Sequence, residues 1–256
     1  MAKTIFITGA SSGIGQACAE EFAEKGYNLV LNARRKDRIQ ELSARLRNLN
    51  KISVKELIFD VRDKKAVEEG VAILKSEKID IDILINNAGL ALGLNSFYEG
   101  NTEDWEQMID TNVKGLLYVS KAVSKGMIER KSGHIINIGS IAGRETYMRG
   151  NVYCATKHAV HSLSEAMRME LVHYGIKVSL VSPGATNTEF SLVRFKGDKE
   201  TANNIYQGYQ PLSGNDIAAC VVFCAELPPH VNINDMLIMP TAQATATIFS
   251  KKPANF

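Results

Sequence analysis

The chain has 256 residues, 45% hydrophobic and 23% charged, with a formal net charge of +2. That is the composition of a soluble globular protein with a large core, and the near-neutral charge argues against a nucleic-acid or anionic-membrane partner. No apolar run approaches membrane-spanning length, and the four cysteines (Cys18, Cys154, Cys220, Cys224) form no CxxC, so a reducing, cytoplasmic location is the default expectation.

Lys3 to Thr8 reads as a strand. Gly9-Ala10-Ser11-Ser12-Gly13-Ile14-Gly15 follows, then a helical pattern from Gln16 to Lys25. Glycines in such a turn let the backbone approach a ligand closely, and the helix start offers free N–H groups to a diphosphate. A second strand, Asn28 to Ala33, ends at Arg34-Arg35. In dinucleotide sites an acid near this position holds the ribose hydroxyls, whereas an arginine accommodates a 2′-phosphate. The arginine pair therefore points to NADP rather than NAD, the bland alternative being a solvated start to the helix of Lys36 to Leu49.

A third strand (Val54 to Phe59) leads to Asp60-Val61 and a helix from Lys64 to Glu77. Asp60 is suited either to an adenine amino group or, with Asp63, to helix capping. Strand four (Ile81 to Ile85) delivers Asn86-Asn87-Ala88-Gly89 to the carboxyl end of the sheet, where its amides either brace the sheet edge or bind cofactor. A long helix from Thr102 to Arg130 carries Asn112 in its interior, an unfavourable place for Asn unless the residue has a task. Strand five (His134 to Ile138) presents Gly139-Ser140.

The segment from Tyr153 to about His173 has apolar residues at helical spacing, and Tyr153 and Lys157 fall on one face, a turn apart. An ammonium beside a phenol lowers its pKa, which suits proton exchange with a substrate oxygen. Strand six (Lys177 to Val181) runs into Ser182-Pro183-Gly184-Ala185-Thr186-Asn187-Thr188. The polar stretch from Phe195 to Gln210 lies within a lid-like segment of about 190–212, followed by a helix (Gly214 to Glu226) and a last strand (Met236 to Met239). The tail, 241–256, has no clear period. The expected architecture is one α/β domain spanning 1–256, a Rossmann-type doubly wound sheet of about seven mostly parallel strands with helices on both faces. No metal-ligand cluster is apparent.

Thr8 to Gly15, Asn86-Asn87-Ala88-Gly89, Asn112, Ser140, Tyr153-xxx-Lys157 and Pro183-Gly184 together resemble the classical short-chain dehydrogenases/reductases. The stretches 187–198 and 228–240 are similar to the NADP-dependent 3-hydroxy acid dehydrogenases, a branch that includes serine and L-allo-threonine dehydrogenases. The resemblance implies that Tyr153 is the general acid or base. Lys157 would lower its pKa and bind the nicotinamide ribose, Ser140 would hold the substrate oxygen, and Asn112 would organise a water through a local distortion of its helix. Gly9, Ser11, Ser12, Gly13, Ile14 and Gly15 would cradle the NADP diphosphate, with Arg34 and Arg35 on the 2′-phosphate. Asp60, Val61 and Asn87 would line the adenine side, Ala88 and Gly89 would also contact the cofactor, and Thr186 and Thr188 after Pro183-Gly184 would face the nicotinamide amide and phosphates. Ser12 stands where some NADP-using members carry a basic residue, which leaves phosphate recognition to the arginines. Arg144, Arg149 and Arg194 are the candidates for a substrate carboxylate. The expected activity is hydride transfer between NADP and a short polar 3-hydroxy acid or its semialdehyde, the alternatives being reduction of another small carbonyl or a non-catalytic NADPH sensor. A homotetramer built through the two long helices is expected, with the tail from Ile248 to Phe256 reaching a neighbour.

Overall fold

The computed structural model describes residues 2–251. Seven strands form one parallel sheet: β1 (Thr4–Thr8), β2 (Asn28–Ala33), β3 (Val54–Ile58), β4 (Ile83–Asn86), β5 (Gly133–Ile138), β6 (Ile176–Pro183) and β7 (Asp235–Ile238). The order is β3-β2-β1-β4-β5-β6-β7, so the winding reverses between β1 and β4. Ligand crevices of open α/β sheets form at such a switch point, beyond the carboxyl ends of the strands.

Parallel strands covered on both faces are apolar at every position rather than at alternate ones. In β1, Ile5 and Ile7 pack against α1 (Gly13–Glu24), α2 (Lys36–Asn50) and α9 (Gly214–Glu226), while Phe6 faces the layer of α3 (Lys64–Ser76) and α5 (Leu116–Arg130). The expected sheet and helix layers are therefore present. No described helix is long and apolar enough to cross a membrane.

Three regions differ from the sequence reading. The expected helix from Thr102 to Arg130 is α4 (Thr102–Ile109) and α5, joined by a π-helical segment, Asp110–Gly115, which is the local distortion expected at Asn112. The polar 190–212 region holds two short helices, α7 (Glu189–Arg194) and α8 (Lys199–Asn204), capped by Thr188 and Asp198. The Tyr206 hydroxyl ties them to the strand end by donating to Thr186 O (2.9 Å) while it accepts from Ser191 Oγ (2.6 Å). The tail folds back on its own chain: Gln243 bridges Phe249, Ser250 N donates to Ala242 O, and Phe249 packs on Tyr209. Residues 252–256, part of the stretch expected to reach a neighbour, lie outside the described residues.

Buried polar groups run through the core. Asn86 Nδ2 donates to Asn137 Oδ1 and Ser120 Oγ, and Asn137 Nδ2 donates to Ser164 Oγ, linking β4 and β5 to α5 and to α6 (Asn151–Leu171). His134 on β5 meets Ser179 on β6 at 2.8 Å. Burial, aided by Lys177 and Lys3, pushes the His134 imidazole down to about 3. Unfolding releases it to its ordinary value near 6.5. As the pH falls from 6.5 toward 3 the unfolded chain takes up this proton before the folded one, so stability is lost across that window at roughly 1.4 kcal/mol per pH unit. His134→Gln is expected to flatten this acid limb, measured as the urea midpoint between pH 7 and pH 4.

Candidate active site

A cavity of about 650 Å³ opens where β1 and β4 part. Its floor is built by the turn after β1. Gly9 has φ +66° and lies so close to the β4 turn that a Cβ would sit 2.9 Å from Ala88 Cα. Thr8 Oγ1 accepts the N–H groups of Asn87 and Ala88, and Asn87 Nδ2 donates to Thr8 O (2.9 Å) and Gly9 O (3.1 Å). Asn87 is thus a brace for the glycine turn. Gly15 does not line the cavity: a Cβ there would meet Asn87 Nδ2 at 2.4 Å, so this glycine permits packing behind the turn.

Ser12 precedes α1 without capping it, and its Oγ instead accepts from Arg35 Nη2 (2.7 Å). The first N–H groups of α1 therefore have no side-chain cap, as an anion at a helix start requires. Arg35 also donates to Ser11 Oγ (2.9 Å from Nη2) and to Glu189 Oε2 (2.9 Å). Arg34 is exposed, with Nη1 3.6 Å from Asp60 Oδ2. Asp60 lines the cavity but its carboxylate is taken up by Arg62, whose Nε and Nη2 donate to it at 3.0 and 2.7 Å. Burial works to raise the Asp60 pKa, yet the Arg62 hydrogen bonds and the Arg34 charge hold it low. The cap of α3 is Asp63, which accepts from Lys65 N and Ala66 N, so Asp60 is not part of that cap. Ile14, Val61, Ala88, Gly89, Thr186 and Thr188 line the same cavity, as do Gly13, Pro183 and Gly184.

At the far end lie Ser140, Tyr153 and Lys157. Ser140 sits just past β5 with its Oγ accepting from Ala142 N (3.1 Å). Tyr153 is buried at the start of α6, and Lys157, one turn on, donates from Nζ to Ile138 O (2.9 Å). Asn112 stays behind the wall. Its amide accepts from Leu90 N and donates to Leu90 O, both at 2.8 Å, and to Thr156 Oγ1 (3.0 Å).

The electrostatics differ from the sequence expectation. Burial drives the Tyr153 phenol well above its ordinary range. The neighbouring Tyr147 phenol adds to this, and the Ser140 hydroxyl and the Arg194 charge only partly offset it. Burial alone lowers Lys157 to about 8. Among the protein's own groups, the cost of burial is the largest influence on the Tyr153 phenol.

The three arginines separate. Arg144 does not line the cavity; it pairs with Asp235 on β7 and is set aside as a carboxylate partner. Arg149 lines the cavity from an exposed loop. Arg194, at the end of α7, is only 9% exposed. It donates to Tyr147 Oη (3.0 Å) and Gly93 O (3.2 Å), and its guanidinium lies 5.5 Å from the centre of the Tyr153 ring. No Asp or Glu pairs with it among the described residues. Tyr147, Phe190, Glu189 and Gln243 also line the cavity; Glu189 and Phe190 fall in the 187–198 stretch, whereas Tyr147 and Gln243 carry no motif or spacing that marks them in the sequence. Gln243 is buried, with Oε1 accepting from Ala185 N (2.8 Å), and so joins the tail to the loop after β6.

Residues 3–198 match the model of the short chain dehydrogenase family. The chain belongs to that family. It is 45% identical over 243 residues to an NADP-dependent 3-hydroxy acid dehydrogenase of Salmonella typhi, covering 94% of this chain and 96% of the relative. It is 40% identical to a serine 3-dehydrogenase of Rhizobium radiobacter, covering 96% and 97% of the two chains. The closed form of a serine dehydrogenase complexed with NADP+ superposes with a TM-score of 0.90 at 43% identity, covering 96% and 98%.

Proposed function

We propose that this short chain dehydrogenase oxidises short polar 3-hydroxy acids with NADP, and reduces the matching semialdehydes in reverse. The observation that carries the substrate class is Arg194. A guanidinium nine-tenths buried with no carboxylate partner among the described residues is costly, and an incoming carboxylate relieves that cost with a bidentate pair. Its guanidinium lies 5.5 Å from the centre of the Tyr153 ring, on the substrate side of the cavity that both residues line. The names of the relatives support the same chemistry.

The cavity suits the cofactor. The uncapped start of α1 fits a diphosphate, and Arg34 and Arg35 at the end of β2 fit a 2′-phosphate. Arg35 reaches the glycine turn at Ser12, the position left without a basic side chain. NADP bound there supplies or accepts the hydride. The protein's groups handle the rest. Ser140 Oγ holds the substrate oxygen; the Tyr153 hydroxyl gives it a proton during reduction, and the Tyr153 phenolate takes one from it during oxidation. Lys157 holds the ribose side and adds positive charge near the phenol. Asn112 fixes the Leu90 backbone and the π-helical wall behind Lys157. The region of α7 and α8 serves as the lid. The reading extends to a cytoplasmic homotetramer, supported by exposed Ile109 and Leu117 on one long helix and Met169 on the other.

The test is turnover of serine, 3-hydroxypropionate, L-allo-threonine and an uncharged alcohol with NADP+ and NAD+, for the wild type and Arg194→Met. The wild type is expected to prefer NADP+ and the acids. Arg194→Met is expected to raise KM for the acids about 10²-fold, the scale of one charged hydrogen-bonded pair, and to leave the alcohol unaffected. An unchanged KM places carboxylate recognition elsewhere.

A further inference from the structure

Glu189, the first residue of the lid helix α7, carries no role in the reading above. Its two carboxylate oxygens reach Arg35, at the β2–α2 turn, and Arg38, in the first turn of α2. Oε2 accepts from Arg35 Nη1 (2.9 Å) and Oε1 from Arg38 Nη1 (2.6 Å). The partners are more than 150 residues apart in sequence. The same Arg35 guanidinium holds Ser11 and Ser12 in the diphosphate turn. Beside this bridge, Thr188 packs onto Gly13, its Cβ 3.2 Å from where a Cβ on Gly13 would stand. One carboxylate therefore links Arg35, one of the two arginines read as the 2′-phosphate site, to the first turn of the lid.

We propose that Glu189 is a latch released by the cofactor: it occupies Arg35 and Arg38 with its carboxylate, and the 2′-phosphate of NADP(H) displaces it and frees α7. This rests on the assignment of NADP as cofactor. The latch is cheap to open. Glu189, Arg35 and Arg38 side chains are 40%, 43% and 48% exposed, and pairs this open are weak. A phosphomonoester carries about −1.5 to −2 charge and three acceptor oxygens, so it outcompetes a single carboxylate for the same guanidinium. Once bound it also repels Glu189. The 2′-hydroxyl of NAD(H) has no charge to do either, so the latch senses the feature that separates the two cofactors. The lid would then be released when the phosphorylated cofactor is in place.

Cofactor fluorescence measures NADPH and NADH binding without any substrate. Glu189→Gln keeps the shape and removes the charge. It is expected to tighten NADPH binding about two- to fivefold, the scale of weak exposed pairs, and to leave NADH binding unchanged. In an Arg35→Met background the Glu189→Gln effect should vanish. Hydrogen exchange of the free protein should also be faster at residues 189–194 in Glu189→Gln. Weaker NADPH binding in Glu189→Gln overturns the latch, since Glu189 would then be aligning Arg35 for the phosphate; unchanged binding overturns it as an idle surface pair. A wild type that binds NADPH and NADH equally removes the cofactor assignment and the latch together. A wild type that prefers NADPH, with Glu189→Gln unchanged, removes the latch alone.

Discussion

Tyr153→Phe is expected to lower kcat by about 10²- to 10⁴-fold, the range for a lost general acid. The substitution is narrow. Phe keeps the ring that packs 5.6 Å from Phe190 and under the Arg194 guanidinium, and it removes only the hydroxyl. Cofactor binding should therefore persist. The direction of the effect with pH is also fixed by the site. Burial keeps the phenol protonated through the neutral range, so the wild type is ready to donate in reduction, while oxidation needs the phenolate and should speed up as pH rises. Steady-state rates in both directions between pH 6 and pH 10 check this. A variant that keeps a tenth of the wild-type kcat would mean that the proton reaches the oxygen by another route.

Lys157→Met is expected to abolish most activity and yet raise the melting temperature. Lys157 is 7% exposed, and burial lowers it from 10.5 to about 8. That depression corresponds to roughly 3 kcal/mol of cost for keeping the ammonium charged at neutral pH. Met fills similar volume without charge. Losing the bond to Ile138 O offsets roughly 1–2 kcal/mol of the gain, leaving a net stabilisation of roughly 1–2 kcal/mol. The sign with pH is definite. Between about 8 and 10.5 the unfolded chain holds this proton and the folded chain has lost it, so wild-type stability rises with pH across that window. The rise should be absent in Lys157→Met. Thermal melts at pH 7 and pH 10 decide it, and a variant less stable than wild type at pH 7 would sink the account.

The strands and most helices were legible because short continuous apolar runs and 3.6-residue patterns survive without context. The glycine turn, Ser140, Tyr153 and Lys157 were legible as motifs, and the structure brings them to one cavity. What escaped lacks a local signal. The helices α7 and α8 are too short to display periodicity and are held by caps and the Tyr206 hydroxyl. Tyr147 and Gln243 act through contacts made only after the chain folds. Arg144 shows the converse: it lies in sequence between Ser140 and Tyr153, but its side chain goes to Asp235. At Tyr153, sequence spacing shows a nearby charge and hides the cost of burial that opposes it.

The π-helical segment has an angular consequence. An uninterrupted α-helix returns to the same direction roughly every eleven residues, or about three turns. Met108 and Val119 would then share one stripe. They belong instead to different cores: Met108 packs with Leu90, Ala142 and Tyr153, while Val119 packs against Phe6, Leu84 and Ile135 of the sheet. The wider loops of Asp110–Gly115 wind more slowly and shift the phase of the second helix. The segment works as a rotary joint frozen at one setting. It lets a single run of chain wall the cavity with its first half and cover the sheet with its second.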